Sequence, residues 1–293
     1  MIVNLRSENA NQLEYTFPQR IITNAKGHED LWQFHRRFLH TKNSLVKFNF
    51  PNKCFIQANM SALLIGICNK LKETNGLAFE MGDCNNVQLD LFRRNGLISH
   101  IENDAILKSY DYRQSTVSAQ LFHLSDAQKF YNYIDNDLLS HSSLNILDAQ
   151  AKDMLRQGFL ETFNNIEHID SDLPLAACGQ CFPSQKYLHF TLSDMGVGFL
   201  KKIRHFTEGT INTPKEAIAW AVKGGNTIRG DGEGGVGLSR LRKYCEQDKR
   251  FTFIIITDSH YWKLSDGQLS QWSLPYPVVG TTIHLIVKLV ENT

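Results

Sequence analysis

The sequence has no excess of charge of either sign and no long apolar run. Its 31 lysines and arginines nearly cancel its 30 aspartates and glutamates, for a net charge of +1, so no global field attracts nucleic acid or anionic membranes. The longest apolar stretch, ALLIGIC, is far below the roughly 18 residues that a membrane span requires, and the N-terminal residues have no signal-peptide core. We therefore expect a cytoplasmic protein that binds neither membranes nor nucleic acid.

A second pair of closely spaced cysteines and a P-loop are also lacking. Cys178 and Cys181 have the spacing of a redox or zinc pair, but no second pair accompanies them, so a structural role is expected. The sequence contains no G-x-x-x-x-G-K-[ST] motif, which excludes the P-loop class of nucleotide-binding proteins. With 293 residues, 42% of them hydrophobic, the chain is long enough for two cores.

Residues 44–100 alternate between strand and helix patterns. Hydrophobic residues alternate through SLVKFNF, and helical spacing follows until Gly76, a glycine typical of a helix C-terminus. A second strand, LAFEMG, and a short helix, VQLDLFRRNG, complete a βαβα unit. One more strand and an amphipathic helix are predicted between residues 115 and 140. We expect a domain boundary at the polar segment 140–143, and residues 1–43 are left as an extension without an assigned role.

The βαβα order of residues 44–100 resembles the second half of a STAS domain, the fold of anti-sigma-factor antagonists. STAS domains that are switched by phosphorylation carry a serine or threonine at the start of the long helix. Here Ala58 and Asn59 lie at about that position, and Ser61 lies slightly late. The resemblance therefore implies a STAS-like domain over residues 44–143 that docks a protein partner rather than one that is switched by phosphorylation.

Four segments after the boundary contain residues suited to binding a nucleotide. A long helix has Glu161 and Asn165 on a face away from its apolar stripe. The strand YLHFTL delivers Asp194, a hydrogen-bond acceptor, to its end, and Gly196 and Gly198 leave the following backbone bare. The last two segments are a glycine-rich loop that runs into a helix through Gly235 and Gly237, and Thr281 at the start of the final strand. Backbone amides in such a loop form a cradle for phosphate.

A dinucleotide-binding fold is a rival interpretation of the glycine-rich loop. Gly232, Gly234 and Gly237 match G-x-G-x-x-G, and Asp258 follows about 20 residues later. That fingerprint needs an apolar strand directly before its glycines, whereas a capped helix and the polar segment NTIRGDGE come first here. The context therefore disfavours the rival.

In order and spacing, these four segments resemble the GHKL ATP-binding fold of gyrase, the ninety-kilodalton chaperones, histidine kinases and MutL. The resemblance covers about 146–290 and implies an α/β sandwich with a mixed sheet and an ATP lid over about 200–234. It implies that Asn165 binds Mg²⁺ and that Glu161 is the general base toward water. It further implies that Asp194 accepts the adenine amino group and that the remaining residues complete the ATP site: Gly196, Gly198, Gly235, Gly237 and Thr281.

Two questions stay open at this point. Asn164 is an alternative to Asn165 as the Mg²⁺ ligand, but that alignment puts Leu160 at the position of the base. The resemblance implies a switch that hydrolyses ATP slowly and changes what the STAS-like domain or a homodimer partner binds. The alternatives are a serine/threonine protein kinase of the anti-sigma type, acting on a STAS partner, and a non-catalytic ATP-binding module.

Overall fold

A computed structural model describes residues 11–164, 172–226 and 237–290. These residues form a mixed α/β protein with parallel and antiparallel sheets. The strands are β1 (Asn11–Thr16), β2 (Arg20–Ile21), β3 (Ser44–Asn49), β4 (Phe55–Ile56), β5 (Ala78–Met81), β6 (Thr116–Phe122), β7 (Leu175–Phe182), β8 (Tyr187–Ser193), β9 (Phe251–Thr257), β10 (His260–Ser265), β11 (Gln268–Ser273) and β12 (Thr281–Lys288). The α-helices are α1 (Ala25–Phe38), α2 (Ser61–Asn75), α3 (Asn86–Arg94), α4 (Leu97–Glu102), α5 (Ala127–Asn132), α6 (Ala149–Asn164), α7 (Gly198–Phe206), α8 (Pro214–Ala221) and α9 (Gly237–Gln247). No helix in the described ranges is both long and apolar enough to cross a membrane.

The N-terminal unit is built on a parallel sheet of order β1-β3-β5. Parallel neighbours need crossover connections, and helices α1 and α2 supply them. Asn24 caps α1 by accepting the N–H of Gly27 at 2.8 Å, and Gly76 ends α2 with φ at 66°. Residues 11–43, which had no assigned role, thus provide β1, β2 and α1. The predicted strands and helices of residues 44–100 are confirmed as β3, α2, β5 and α3.

Helix α2 lies between two sheets. It packs against the parallel sheet on one side and against β7 and β8 on the other. Every residue from 61 to 68 is buried, as expected for a helix covered on all sides. This explains the apolar stretch ALLIGIC. It also buries Ser61, which is 1% exposed and accepts the side-chain N–H of Asn95 at 2.8 Å.

The second unit is a seven-stranded sheet of order β11-β10-β9-β12-β8-β7-β6. All its neighbouring strands pair antiparallel, so the expected mixed sheet was wrong for this unit. The reason is the position of β12. Strands β8 and β9 run parallel to each other, but β12 lies between them and pairs antiparallel with both.

The seven-stranded sheet is covered on both faces. Helices α6 and α9 pack against each other and share a core with one face of this sheet. The N-terminal unit covers part of the other face. Strand β6 hydrogen-bonds to β7, and α5 packs against α6. By its strand pairing, β6 therefore belongs to the second unit, and the boundary between the units precedes β6. The sequence suggested a boundary at residues 140–143.

The paired cysteines have the structural role that we predicted. All six cysteines of the chain are free thiols. Cys178 and Cys181 are an odd number of residues apart on β7, so their side chains point to opposite faces of the sheet. Cys178 lies in the core shared with the N-terminal unit, and Cys181 lies in the core under α6 and α9.

Candidate functional site

Asp194 lies directly after β8, at the end of the sheet where β12 begins and β9 ends. Its Oδ1 accepts the N–H of Gly196 at 2.8 Å, and its own N–H donates to the carbonyl of Thr281 at 2.9 Å. The residue is 8% exposed. Burial raises the pKa of its carboxyl from 3.8 to about 7, against the opposing effects of backbone hydrogen bonds and the charge of Lys202. This is the most perturbed carboxyl group at this edge of the sheet.

Two glycines next to Asp194 have backbone conformations and surroundings that exclude a side chain. Gly198 has φ at 76°, and a Cβ there would lie 2.8 Å from Oδ1 of Asp258. Gly280 has φ at 71°, and a Cβ there would overlap the carbonyl oxygen of Asp194. Because L-residues rarely adopt such φ values, both positions require glycine. Both glycines are therefore required by close contacts within the protein, Gly198 with the carboxyl of Asp258 and Gly280 with the backbone of Asp194.

Thr281 begins β12 between the ends of the two flanking strands. Its hydroxyl donates to Oγ1 of Thr257, the last residue of β9, at 3.1 Å. Asp194 and Thr281 are thus joined by the backbone hydrogen bond between β8 and β12. The structure brings together four residues that the sequence predicted for the adenine side of the site: Asp194, Gly196, Gly198 and Thr281.

Asp258 has a local structural role that the dinucleotide interpretation does not predict. Its Oδ2 accepts the N–H groups of Phe199 at 3.2 Å and Leu200 at 3.1 Å, which are orphan donors in the first turn of α7. Burial raises the pKa of this carboxyl as well. Asp258 anchors the start of the segment 200–234 to the sheet. Its position after the strand FTFIIIT was visible in the sequence, but the helix that it caps was not.

Glu161 lies at the contact between α6 and α9. A Cβ on Gly237, the first residue of α9, would be 2.7 Å from Cβ of Glu161. One turn earlier, a Cβ on Gly158 would be 2.6 Å from the side chain of Leu241. The two glycines let the helices approach closely. Glu161, which is partly buried, therefore lies beside the N-terminal end of α9, where helical N–H groups favour negative charge.

Several predicted site residues lie outside the described ranges. Asn165, the expected Mg²⁺ ligand, and Gly235 are among them, together with most of the glycine-rich loop. Asn164, the alternative ligand, ends α6 and is exposed. Within the described ranges, no group of three or more histidine, cysteine, aspartate or glutamate side chains could hold a metal ion.

Met195 and Thr257 belong to the site but were not predicted. Thr257 contacts Thr281 and also lies 3.1 Å from the carbonyl of Gly280. Met195 packs away from the edge of the sheet, into the core of the N-terminal unit. Both contacts join segments far apart in sequence, so no local pattern indicates them. No family model matches the chain, and no curated protein matches it.

Proposed function

We propose that the chain binds MgATP at the edge of the sheet formed by Asp194 and Thr281, and that it hydrolyses the nucleotide slowly. The observation that carries the proposal is the buried carboxyl of Asp194, which lies against Gly280 at the end of the sheet where Thr281 begins β12. An adenine ring has an amino group that can donate to such a carboxylate and a flat face that needs close approach. The buried acid meets the first requirement, and the backbone of Gly196, whose N–H donates to it, lies beside it without a side chain.

The phosphate side of the proposal is supported by the contact between α6 and α9. Gly237 begins α9, and the N–H groups at the N-terminus of a helix attract phosphate. Glu161 lies against this end. Its carboxylate is the group that would accept a proton from the attacking water, the role of a general base. Mg²⁺ would neutralise phosphate charge when bound.

The two-unit architecture supports a proposal for the biological role. We propose that the nucleotide state changes what the N-terminal unit binds, with a protein partner or a second copy of the chain as the responder. The burial of Ser61 supports docking over phosphorylation in this unit, because a kinase cannot reach a hydroxyl that is 1% exposed.

The experiment is a calorimetric titration of MgATP into the wild type, Asp194→Asn and Glu161→Gln, with phosphate release measured on the same samples. We expect Asp194→Asn to lose binding, and Glu161→Gln to keep binding but lose turnover. Asp258→Asn is the matched control, since asparagine also caps helices and the change is again acid to amide. It should bind MgATP with nearly wild-type affinity.

Each opposing result has a distinct meaning. Absence of MgATP binding to the wild type would contradict the proposal. A larger loss of nucleotide affinity in Asp258→Asn than in Asp194→Asn would favour the dinucleotide-binding fold. Binding without phosphate release would indicate a passive ATP module, unless radiolabel from the γ-phosphate appears on a partner protein, which would indicate a kinase.

A further inference from the structure

Met195, the residue after Asp194, packs against helix α2 of the N-terminal unit. It is 1% exposed and belongs to the core of that unit. Gly66 of α2 faces it directly: a Cβ there would lie 2.6 Å from Cε of Met195 and 3.4 Å from its Cγ. The absence of a side chain at Gly66 therefore allows the helix to approach the segment that carries Asp194.

The segment before Thr281 is supported from the same side. Val278 and Val279, which precede Gly280 and Thr281, pack against the same N-terminal core. Both segments that form the proposed adenine site thus have the N-terminal unit behind them.

Buried polar contacts connect the two units along the same pair of strands. Asn59 donates to Oγ1 of Thr191 at 2.9 Å, and this hydroxyl lies 2.7 Å from Nδ1 of His284. Nε2 of His284 shares a hydrogen bond of 2.6 Å with Nε2 of His28, on α1. Thr191 and His284 are register partners on β8 and β12. Buried polar contacts of this kind are sensitive to geometry, because a group that loses its partner has no water to replace it.

We propose that the N-terminal unit is an internal effector of the nucleotide site, with Met195 as the positioning residue. When α2 is docked, Met195 and the Asn59–Thr191 hydrogen bond hold β8 and β12 so that Asp194 and Thr281 face the ligand. Coupling between two binding events is reciprocal, so bound nucleotide stabilises docking to the same extent as docking tightens nucleotide binding. This inference rests on the proposed function and names how its site is regulated.

Added volume at Gly66 tests the contact. In Gly66→Ala only the terminal methyl of Met195 must move, so the Kd for MgATP should change by less than about threefold. In Gly66→Val the larger side chain reaches toward Cγ and Sδ of Met195, and we expect Kd to rise about tenfold, which corresponds to 1.4 kcal/mol. Adding Met195→Ala to Gly66→Val should return Kd to that of Met195→Ala alone. A defect in α2 that is unrelated to Met195 would not be rescued in this way.

A second variant removes a contact without adding volume. Asn59→Ala breaks the hydrogen bond to Thr191, and Kd should again rise severalfold. Phe38→Leu is the control, because the ring contacts of Phe38 lie within the N-terminal unit. It should lower the melting temperature of the protein while leaving Kd unchanged.

Hydrogen exchange on the full chain measures the reciprocal effect. MgATP should slow amide exchange in residues 61–71 of the wild type, and should do so less in Gly66→Val and Asn59→Ala. If the wild type binds MgATP but residues 61–71 gain no protection, the coupling alone is overturned. The same holds if both variants fold and bind MgATP with the wild-type Kd. If Gly66→Val does not fold, Asn59→Ala decides. Absence of MgATP binding to the wild type would overturn the proposed function and the coupling together.

Discussion

The affinity for nucleotide should fall as the pH is lowered through 7, because the ionised carboxylate of Asp194 accepts the adenine amino group more strongly than the neutral acid does. Burial raises the pKa of this carboxyl from 3.8 to about 7 in the nucleotide-free protein. Above pH 7 the acceptor is already present, whereas below pH 7 binding must first remove a proton. Between pH 8 and pH 6 we therefore expect affinity to decrease about tenfold.

Proton release is the direct measurement of this effect. With the carboxyl ionised in the complex, binding should release about 0.9 proton at pH 6 and about 0.1 proton at pH 8. Titrations at one pH in two buffers of different ionisation enthalpy give this number. Adenosine is the better probe, because it lacks the phosphates of ATP, which titrate in the same range.

The acid in question is identified by comparison with variants. Any residual binding to Asp194→Asn should release no proton and should not depend on pH between 6 and 8. Asp258→Asn should keep the wild-type proton release. Equal affinity of the wild type at pH 6 and pH 8, with no proton released at either, would refute the assignment of Asp194 as the ionised acceptor.

Three further predictions concern stability. Asp194→Asn should make the nucleotide-free protein more stable at pH 8 by up to about 4 kcal/mol, the cost of ionising a carboxyl whose pKa is raised from 3.8 to about 7; urea unfolding showing a loss of stability would contradict this. Burial lowers the pKa of His28 from 6.5 to about 3 and that of His189 to about 4. Their neutral forms are favoured in the folded state, so their stabilising contribution is complete above pH 6.5 and is lost as pH falls, by about 2 kcal/mol each at pH 5. Urea unfolding of Asp194→Asn against pH checks this without the opposing titration of the carboxyl, and a flat profile would contradict it. Gly280→Ala should destabilise the fold more than Gly267→Ala by about 1–3 kcal/mol, because both have positive φ but only at Gly280 would a Cβ overlap the backbone; equal effects in thermal or urea unfolding would contradict the argument.

Local signals in the sequence predicted several helix ends and strands. The capped helix expected before the glycine-rich loop is α8, in which Thr213 and Glu216 form a capping box and Pro214 is the first residue. Gly76 ends α2 as expected, and Asp194 lies directly after β8. These features depend on a few consecutive residues, so the sequence is sufficient to indicate them.

Elements without a strong local pattern were missed. Strand β1 was missed although Leu13, Tyr15 and Phe17 alternate with polar residues, because this alternation is short and most of the strand is exposed. Helix α1 ends with FHRRF, a basic segment whose local pattern does not indicate burial. Phe34, His35 and Phe38 are nevertheless buried, whereas Arg36 is partly buried and Arg37 is exposed. The β10–β11 hairpin did have a sequence signal, Asp266 followed by Gly267, which is typical of a tight turn.

The sequence by itself determined where α2, β8 and α8 begin or end, and which residues of one helix or strand share a face. It also placed an acid between a strand and two glycines, because capping, turn formation and periodicity act over a few residues. Only the tertiary structure decided that β12 lies between β8 and β9, that β6 joins the larger sheet, and that Met195 meets Gly66. Those contacts join segments far apart in the chain, and the free energy that selects them comes from burying both partners at once.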